Sequence, residues 1–322
     1  MSVQGVLWAA FCVIILGVLA LDLGVLTRRT QTVSGREAGA LSALWVLLAL
    51  LFGAGVWSLR GPRDGLAFFT AYVLEKSLSL DNMFVFLVIF TSFGIPHRLQ
   101  PTVLMWGILG ALVSRATFIA AGAALFHAFS WVPYAFGGVI IWTGIRMLGA
   151  RRTKAAAPAL PPLLGLLRAR APQARSGESE TFFASGDGAR VATPLLWALI
   201  AVEMADVIFA IDSIPAVFAL TTDPFVVYTS NIFAVLGLRA LYVLLAGAMD
   251  HFRHLHTGLA LILLFVGVKM LARGVYEVPI GVSLGVIAAI LFAAVAASRV
   301  SQRRPRWRLL KWHKEIRRAG VE

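Results

Sequence analysis

Six carboxylates stand inside or at the end of long apolar stretches of this sequence, where water cannot solvate them. Glu75, Asp81, Glu203, Asp206 and Asp212 lie well inside such stretches, and Asp22 lies nearer the end of the first. An ionisable group at mid-membrane costs at least about 2.5–3.5 kcal/mol on insertion scales, so it needs a partner and usually a task. The cations at similar depth are Lys76, Arg115 and Arg239. If all were ionised, six acids against three bases would leave a negative surplus that ion pairing alone does not absorb. A bound cation, or protons on some of the carboxyls, would balance it.

The acids recur in a pattern. Glu75-Lys-Ser-Leu-Ser-Leu-Asp81-Asn82 and Asp206-Val-Ile-Phe-Ala-Ile-Asp212-Ser213 each read as an acid, five residues, an aspartate and a small polar residue. Arg115 and Arg239 follow in matching Gly/Leu/Ala-rich settings, and then Gly144-Ile-Arg146-Met-Leu148 is matched by Gly267-Val-Lys269-Met-Leu271. Three similarities in the same order define an internal repeat. Glu203 and Asp206, three apart, share a helix face, whereas Asp206 and Asp212, six apart, are offset by about 240° on a regular helix. Pro215 lacks an N–H and frees the carbonyl of Ile211, so the spacing predicts a bent or unwound helix near Asp212–Pro215. Ser77, Ser79 and Asn82 are the polar groups available on the first copy, which lacks that proline. Carboxylate, amide, hydroxyl and carbonyl oxygens suit hard ions such as Mn²⁺, Mg²⁺ or Ca²⁺, while Zn²⁺ and copper favour sulfur and imidazole. The candidate metal ligands are Asp81 and Asp212 at the centre, Glu75 and Asp206 beside them, and Asn82, Ser213 and Glu203 as neighbours. Arg115, Arg239, Lys76 and Asp22 are candidates for ion pairing or gating. The alternative is a set of structural ion pairs between helices.

The elements that must position these residues are membrane spans. The 322 residues are 59% hydrophobic and 14% charged, with a mean hydropathy of +0.82, which excludes an ordinary soluble domain. Apolar runs of span length read as nine helices: 5–26, 38–59, 66–91, 102–126, 131–149, 194–219, 225–248, 256–272 and 278–298. The first run has no preceding positive residue and no small-residue cleavage site, so it reads as a true span. With the N-terminus outside, 21 Lys/Arg fall on inside segments and only Arg60, Arg63 and Arg273 outside, which selects N-out, C-in. Net charge of +13 is thereby a topology signal and gives no ground for nucleic-acid binding. The lone Cys12 excludes a disulfide framework and a thiolate metal site.

The chain divides into helices 1–2 (1–65), a first repeat of three helices (66–149), a linker (150–193), a second repeat (194–272), a ninth helix (273–298) and a basic tail (299–322). With nine spans the repeats are inverted, a plan common in secondary transporters that hold substrate at the midplane. The linker, with Pro158, Pro161, Pro162, Pro172 and Ser176-Gly-Glu-Ser-Glu180, reads as mobile. The tail interleaves Trp307, Leu309, Leu310, Trp312 and Ile316 with cations, which fits an interfacial helix or a plain positive-inside tail. His251, His254 and His256 beside Asp250 read as loop histidines before they read as a metal-sampling site, and His97 and His127 as interfacial. The Gly107–Gly110 stretch reads as a helix-packing surface.

At Glu75-Lys-Ser-Leu-Ser-Leu-Asp-Asn-Met-Phe-Val-Phe86, Phe209-Ala-Ile-Asp-Ser-Ile-Pro-Ala216 and Thr229-Ser-Asn-Ile-Phe-Ala-Val-Leu-Gly-Leu-Arg-Ala-Leu-Tyr242 the sequence resembles the TerC family of integral membrane proteins, which includes Alx-type members. Asp22-Leu-Gly24 and Gly267-Val-Lys-Met-Leu271 fit as well. The resemblance covers the chain apart from linker and tail. It implies association with tellurite resistance and, in Alx-type members, manganese export, and a kinship with the wider LysE-type transporters. The family's acidic residues match Glu75, Asp81, Asp206 and Asp212, with Asn82 and Ser213 as motif neighbours. The expectation is therefore an all-α polytopic protein of the plasma membrane, not an enzyme and without a resident cofactor, that exports a divalent cation, Mn²⁺ by resemblance. Its partners would be the metal ion and the bilayer, with a homo-oligomer or stress-complex partner also open. A membrane scaffold in metal or tellurite stress is the main rival. An intramembrane aspartyl hydrolase on Asp81 and Asp212 lacks a supporting Gly-x-Gly-Asp element.

Overall fold

A computed structural model describes residues 3–21, 35–149, 165, 167, 181–186, 189–246, 254–276 and 278–318. Among these residues the fold has ten α-helices and one hairpin: α1 (Val3–Leu21), α2 (Gly35–Arg60), α3 (Pro62–Ser92), α4 (Gln100–Ala128), α5 (Val132–Gly149), β1 (Phe183–Gly186), β2 (Ala189–Ala192), α6 (Pro194–Phe218), α7 (Pro224–Val235), α8 (Leu238–Ala246), α9 (Leu255–Leu271) and α10 (Ile280–Arg318). In hydrocarbon, a helix is the form in which a single segment satisfies its own backbone, which is why these apolar runs are helical throughout. Proline opens α3, α6 and α7, where a missing N–H costs nothing.

Among the described residues, seven helices are long and apolar enough to cross a membrane, and up to eight if the bent pair α7–α8 counts as one span. The chain is thus an all-α, multi-pass membrane protein. The remaining expected span, 66–91, lies in α3, whose 31 residues are long enough but carry Asp64, Glu75, Lys76 and Asp81. That charge load marks α3 as a helix shielded by its neighbours. Its Ala71, Leu74 and Glu75 are wholly buried, and α2, α6, α7 and α10 all pack on it.

The most extensive pairings are α5 with α9, α3 with α7 and α4 with α6. Exchanging α3 with α6, α4 with α7 and α5 with α9 carries this set of pairings into itself. The α5–α9 contact shows the same property at atomic level. A methyl on Gly267 would come 3.0 Å from the carbonyl oxygen of Gly137, and one on Gly144 would come 3.1 Å from that of Ala260. Small residues let these two backbones touch, the usual basis of helix association in lipid. A second core gathers α1, α2, α3 and α7 around Phe11, Phe52, Phe68, Phe225 and Phe233, with Phe52 and Phe233 ring centroids 4.8 Å apart.

Two expectations are corrected. The helix does not unwind at Asp212–Pro215: α6 runs unbroken from Pro194 to Phe218 with Pro215 buried inside it. One missing hydrogen bond is tolerated there because Pro215 is tightly packed, while its own carbonyl still accepts from Ala219. The break lies one span later, between α7 and α8, where Gly237 adopts φ +79 and the axis bends by 40°. The linker also ends in structure. β1 and β2 pair antiparallel from Phe183 against Ala192, and the Thr193 hydroxyl donates to the carbonyls of Thr181 and Phe182. Most of the linker, Asp22, Asp250, His251 and the side chains of Asp81, His127 and the tail lie outside what is described. The tail backbone continues α10 as a helix to Arg318.

Candidate functional site

Four helices converge on Arg115, which α4 holds at 1% exposure. Its guanidinium donates from Nη2 to Asp206 Oδ1 at 3.0 Å and from Nε to Asp206 Oδ2 at 3.4 Å, a two-point grip on α6. Nη1 donates to Glu75 Oε1 on α3 and, at 2.8 Å, to Asn231 Oδ1 on α7. The planar five-donor fork of arginine suits this arrangement, and lysine could not reproduce it. Ser213, about two turns beyond Asp206, donates to Glu75 Oε1 at 3.5 Å. Glu75 and Asn231 are wholly buried and Asp206 nearly so. Glu75 Oε2 and Asn231 Nδ2 find no hydrogen-bond partner among the described residues, so this dry cluster retains unspent polar capacity.

Among the described residues, Lys76, adjacent in sequence to Glu75, joins no carboxylate. Its Nζ donates to the carbonyls of Ala234 and Leu236, at 3.0 and 3.2 Å, where α7 ends. Those carbonyls are freed because the chain turns left-handed at Gly237, and a cation belongs at the negative end of a helix. Lys76, a candidate for ion pairing or gating, sits here as a cap on a broken helix.

The other predicted residues are placed elsewhere. Asp212 is half-buried and faces α5, where Thr143 Oγ1 donates to its Oδ1 at 2.9 Å and Arg146 acts on it electrostatically. The 240° offset therefore stands: Asp206 faces α4 and Asp212 faces α5, on one unbroken helix. Asn82 is half-buried on α3. Arg239 is buried and lines a cavity of about 30 Å³ with Trp45, Pro101 and Gly237. Among the described residues, no three His, Cys, Asp or Glu side chains gather as a ready metal cage. Asn231 was not foreseen as a site residue, since a neutral amide leaves no mark in charge counting.

Glu203 lies on the face of α6 that meets α4, and its carboxylate occupies the space a side chain on Gly110 would need, with a Cβ there falling 2.1 Å from Oε1. Gly110→Ala should therefore destabilise the fold by about 1 kcal/mol or less, because what it meets is the end of a flexible glutamate side chain that can turn aside. Glu203→Ala in the same chain should recover most of that loss. Thermal unfolding of the three variants in detergent tests this, and equal losses in both backgrounds would show that Gly110 accommodates something other than Glu203.

The family profile described as "Integral membrane protein TerC family" matches residues 60–306. The chain belongs to the TerC family. It is 49% identical over 297 residues to "Uncharacterized membrane protein STKORF319" of Myxococcus xanthus, covering 92% of this chain and 93% of that one. It is 45% identical over 294 residues to "Putative membrane-bound redox modulator Alx" of Escherichia coli (strain K12), covering 88% and 91%. A "Rickettsia bellii (strain RML369-C)" membrane protein is 36% identical over 294 residues. No solved structure matches the chain. The TerC match spans α3 to α10, so it contains Arg115 and all of its partners, whereas α1 and nearly all of α2 precede it.

Proposed function

We propose that this TerC-family protein is a secondary transporter that exports a divalent cation, Mn²⁺ in the first instance, through a site between its two repeats, and is not an enzyme. The observation that carries the reading is the convergence of Glu75, Asp206, Asn231 and Ser213 oxygens, buried, at the junction of α3, α4, α6 and α7. Oxygen donors of this kind suit a hard cation. The exchange symmetry of the helix pairings supports an inverted repeat, with nine spans if α3 crosses within its neighbours' shelter. The Lys/Arg distribution supports an N-out, C-in orientation in the plasma membrane. The Alx relative is named as a redox modulator. With one cysteine, this chain has no dithiol of its own to exchange, so an influence on redox state would pass through the ion it moves.

A scaffold reading also has an observation behind it, because Arg115 already neutralises much of the acidic pair. Flux separates the two. In reconstituted vesicles, wild type should move Mn²⁺, and Glu75→Gln and Asp212→Asn should each lower the rate at least tenfold while remaining folded. Following Mg²⁺ and Ca²⁺ in parallel sets the ion. A folded wild-type protein that moves none of the three would overturn the transporter and leave the scaffold.

A further inference from the structure

The charges of Glu75, Asp206, Arg115 and Lys76 balance one another, so a divalent ion joining these four groups would bring a positive excess unless a resident cation gives way. Glu75 and Asp206 carry two negative charges, Arg115 one positive, and Lys76, one residue from Glu75, the second. Arg115 is held by three side chains on three helices. Among the described residues, Lys76 is held by two main-chain carbonyls, through a flexible four-carbon stem. Of the two cations it is the one that can leave. Ala234 and Leu236 follow Asn231 on the same helix, so the Ala234 carbonyl sits about one turn, near 4.5 Å along the axis, beyond the Arg115 cluster.

We propose that Lys76 is a tethered counter-cation: its ammonium fills a carbonyl-oxygen site at the α7–α8 break while the carboxylate site holds no substrate, and an arriving divalent cation displaces it. The inference rests on the transport reading and gives it a release step. The carbonyls of Ala234 and Leu236 are hard oxygen donors at the negative end of a half-helix, a place suited to a metal cation as well as to an ammonium. When the ammonium returns, it competes for the same oxygens and restores neutrality without the metal. A lysine that only capped the helix would have no such competition.

The two roles predict opposite kinetics. Under the proposal, Lys76→Met removes the competitor, so Mn²⁺ should bind more tightly and leave more slowly: KM in vesicle flux falls at least fivefold and the maximal rate falls about tenfold. Lys76→Arg, which keeps a tethered charge, should return both towards wild type. A cap-only role predicts a KM that is unchanged or raised, and that result overturns the proposal. If Lys76→Met does not fold, the wild-type protein decides. Reductive methylation of Lys76, read by mass spectrometry, should rise with added Mn²⁺ as the ammonium is displaced, and an unchanged extent overturns the proposal. Wild-type flux measured in the same vesicles keeps the outcomes apart, since its absence would defeat transport itself, whereas flux with an unmoved KM would defeat only the lysine's role.

Discussion

Arg115→Met should cost about 3–5 kcal/mol of stability, enough to unfold much of the protein. The residue is almost wholly buried, and its loss would strand Glu75 and Asp206 as two like charges in a buried junction of four helices. Asn231 would lose the donor to its Oδ1 at the same time. A buried pair broken on one side is much worse than a pair removed on both sides, because the remaining charge keeps its desolvation penalty and loses its compensation. The variant Arg115→Met with Glu75→Gln and Asp206→Asn should therefore recover most of the loss. Thermal midpoints in one detergent, for the single and triple variants, make the comparison. A single variant that lost less than about 1 kcal/mol would mean that the guanidinium is not what holds these carboxylates. The triple variant also separates stability from function, since it should fold and yet move no cation.

The convergence on Arg115 explains why some of the site was legible from sequence and some was not. Acids in apolar runs are conspicuous, and the shared pattern of Glu75–Asn82 and Asp206–Ser213 pointed to two halves that meet. Glu75 and Asp206, at equivalent positions of the two motifs, do meet, on one arginine. Charge counting pooled all carboxylates into a single cluster, however, and a helix distributes them by angle. Asp212 is six residues from Asp206 and so faces α5 and Thr143, and Glu203 is packed on Gly110. The sequence argument saw the 240° offset and tried to remove it by unwinding α6 at Pro215. The protein keeps the offset and the helix. A proline announces only that one hydrogen bond is absent; whether a helix opens there depends on the packing around it, and Pro215 is buried. The true break has a quieter signature, since a single glycine among 29 does not stand out until its φ and its neighbour are known. Asn231 escaped notice for a similar reason, because neutrality hides a residue from any argument built on charge. The spans themselves were plainly readable, their ends less so. Apolar length dictates that a helix forms, while the end is fixed by local contacts such as Asp223, whose Oδ1 accepts from the Phe225 and Val226 amides and caps α7.

Gly237→Ala should destabilise the protein by about 2–5 kcal/mol, from two causes that can be separated. The backbone at Gly237 is left-handed, and an L side chain there costs about 1–2 kcal/mol. A Cβ would also fall 2.3 Å from Cδ1 of Trp45 on α2, so the ring or the helix must shift, which adds about 1–3 kcal/mol of overpacking. Trp45→Ala abolishes the second cause and leaves the first. In that background Gly237→Ala should cost only the backbone share, and the difference between the two backgrounds measures the steric share. Equal costs in both would place the whole effect in φ. The consequence reaches the site, because the left-handed turn at Gly237 is what ends α7 and exposes the Ala234 and Leu236 carbonyls to Lys76. A glycine with no polar atom of its side chain thus sets the geometry of two oxygen donors and one ammonium. A Gly237→Ala protein that remains folded should show Lys76 loosened from those carbonyls, with its reductive methylation raised even without Mn²⁺.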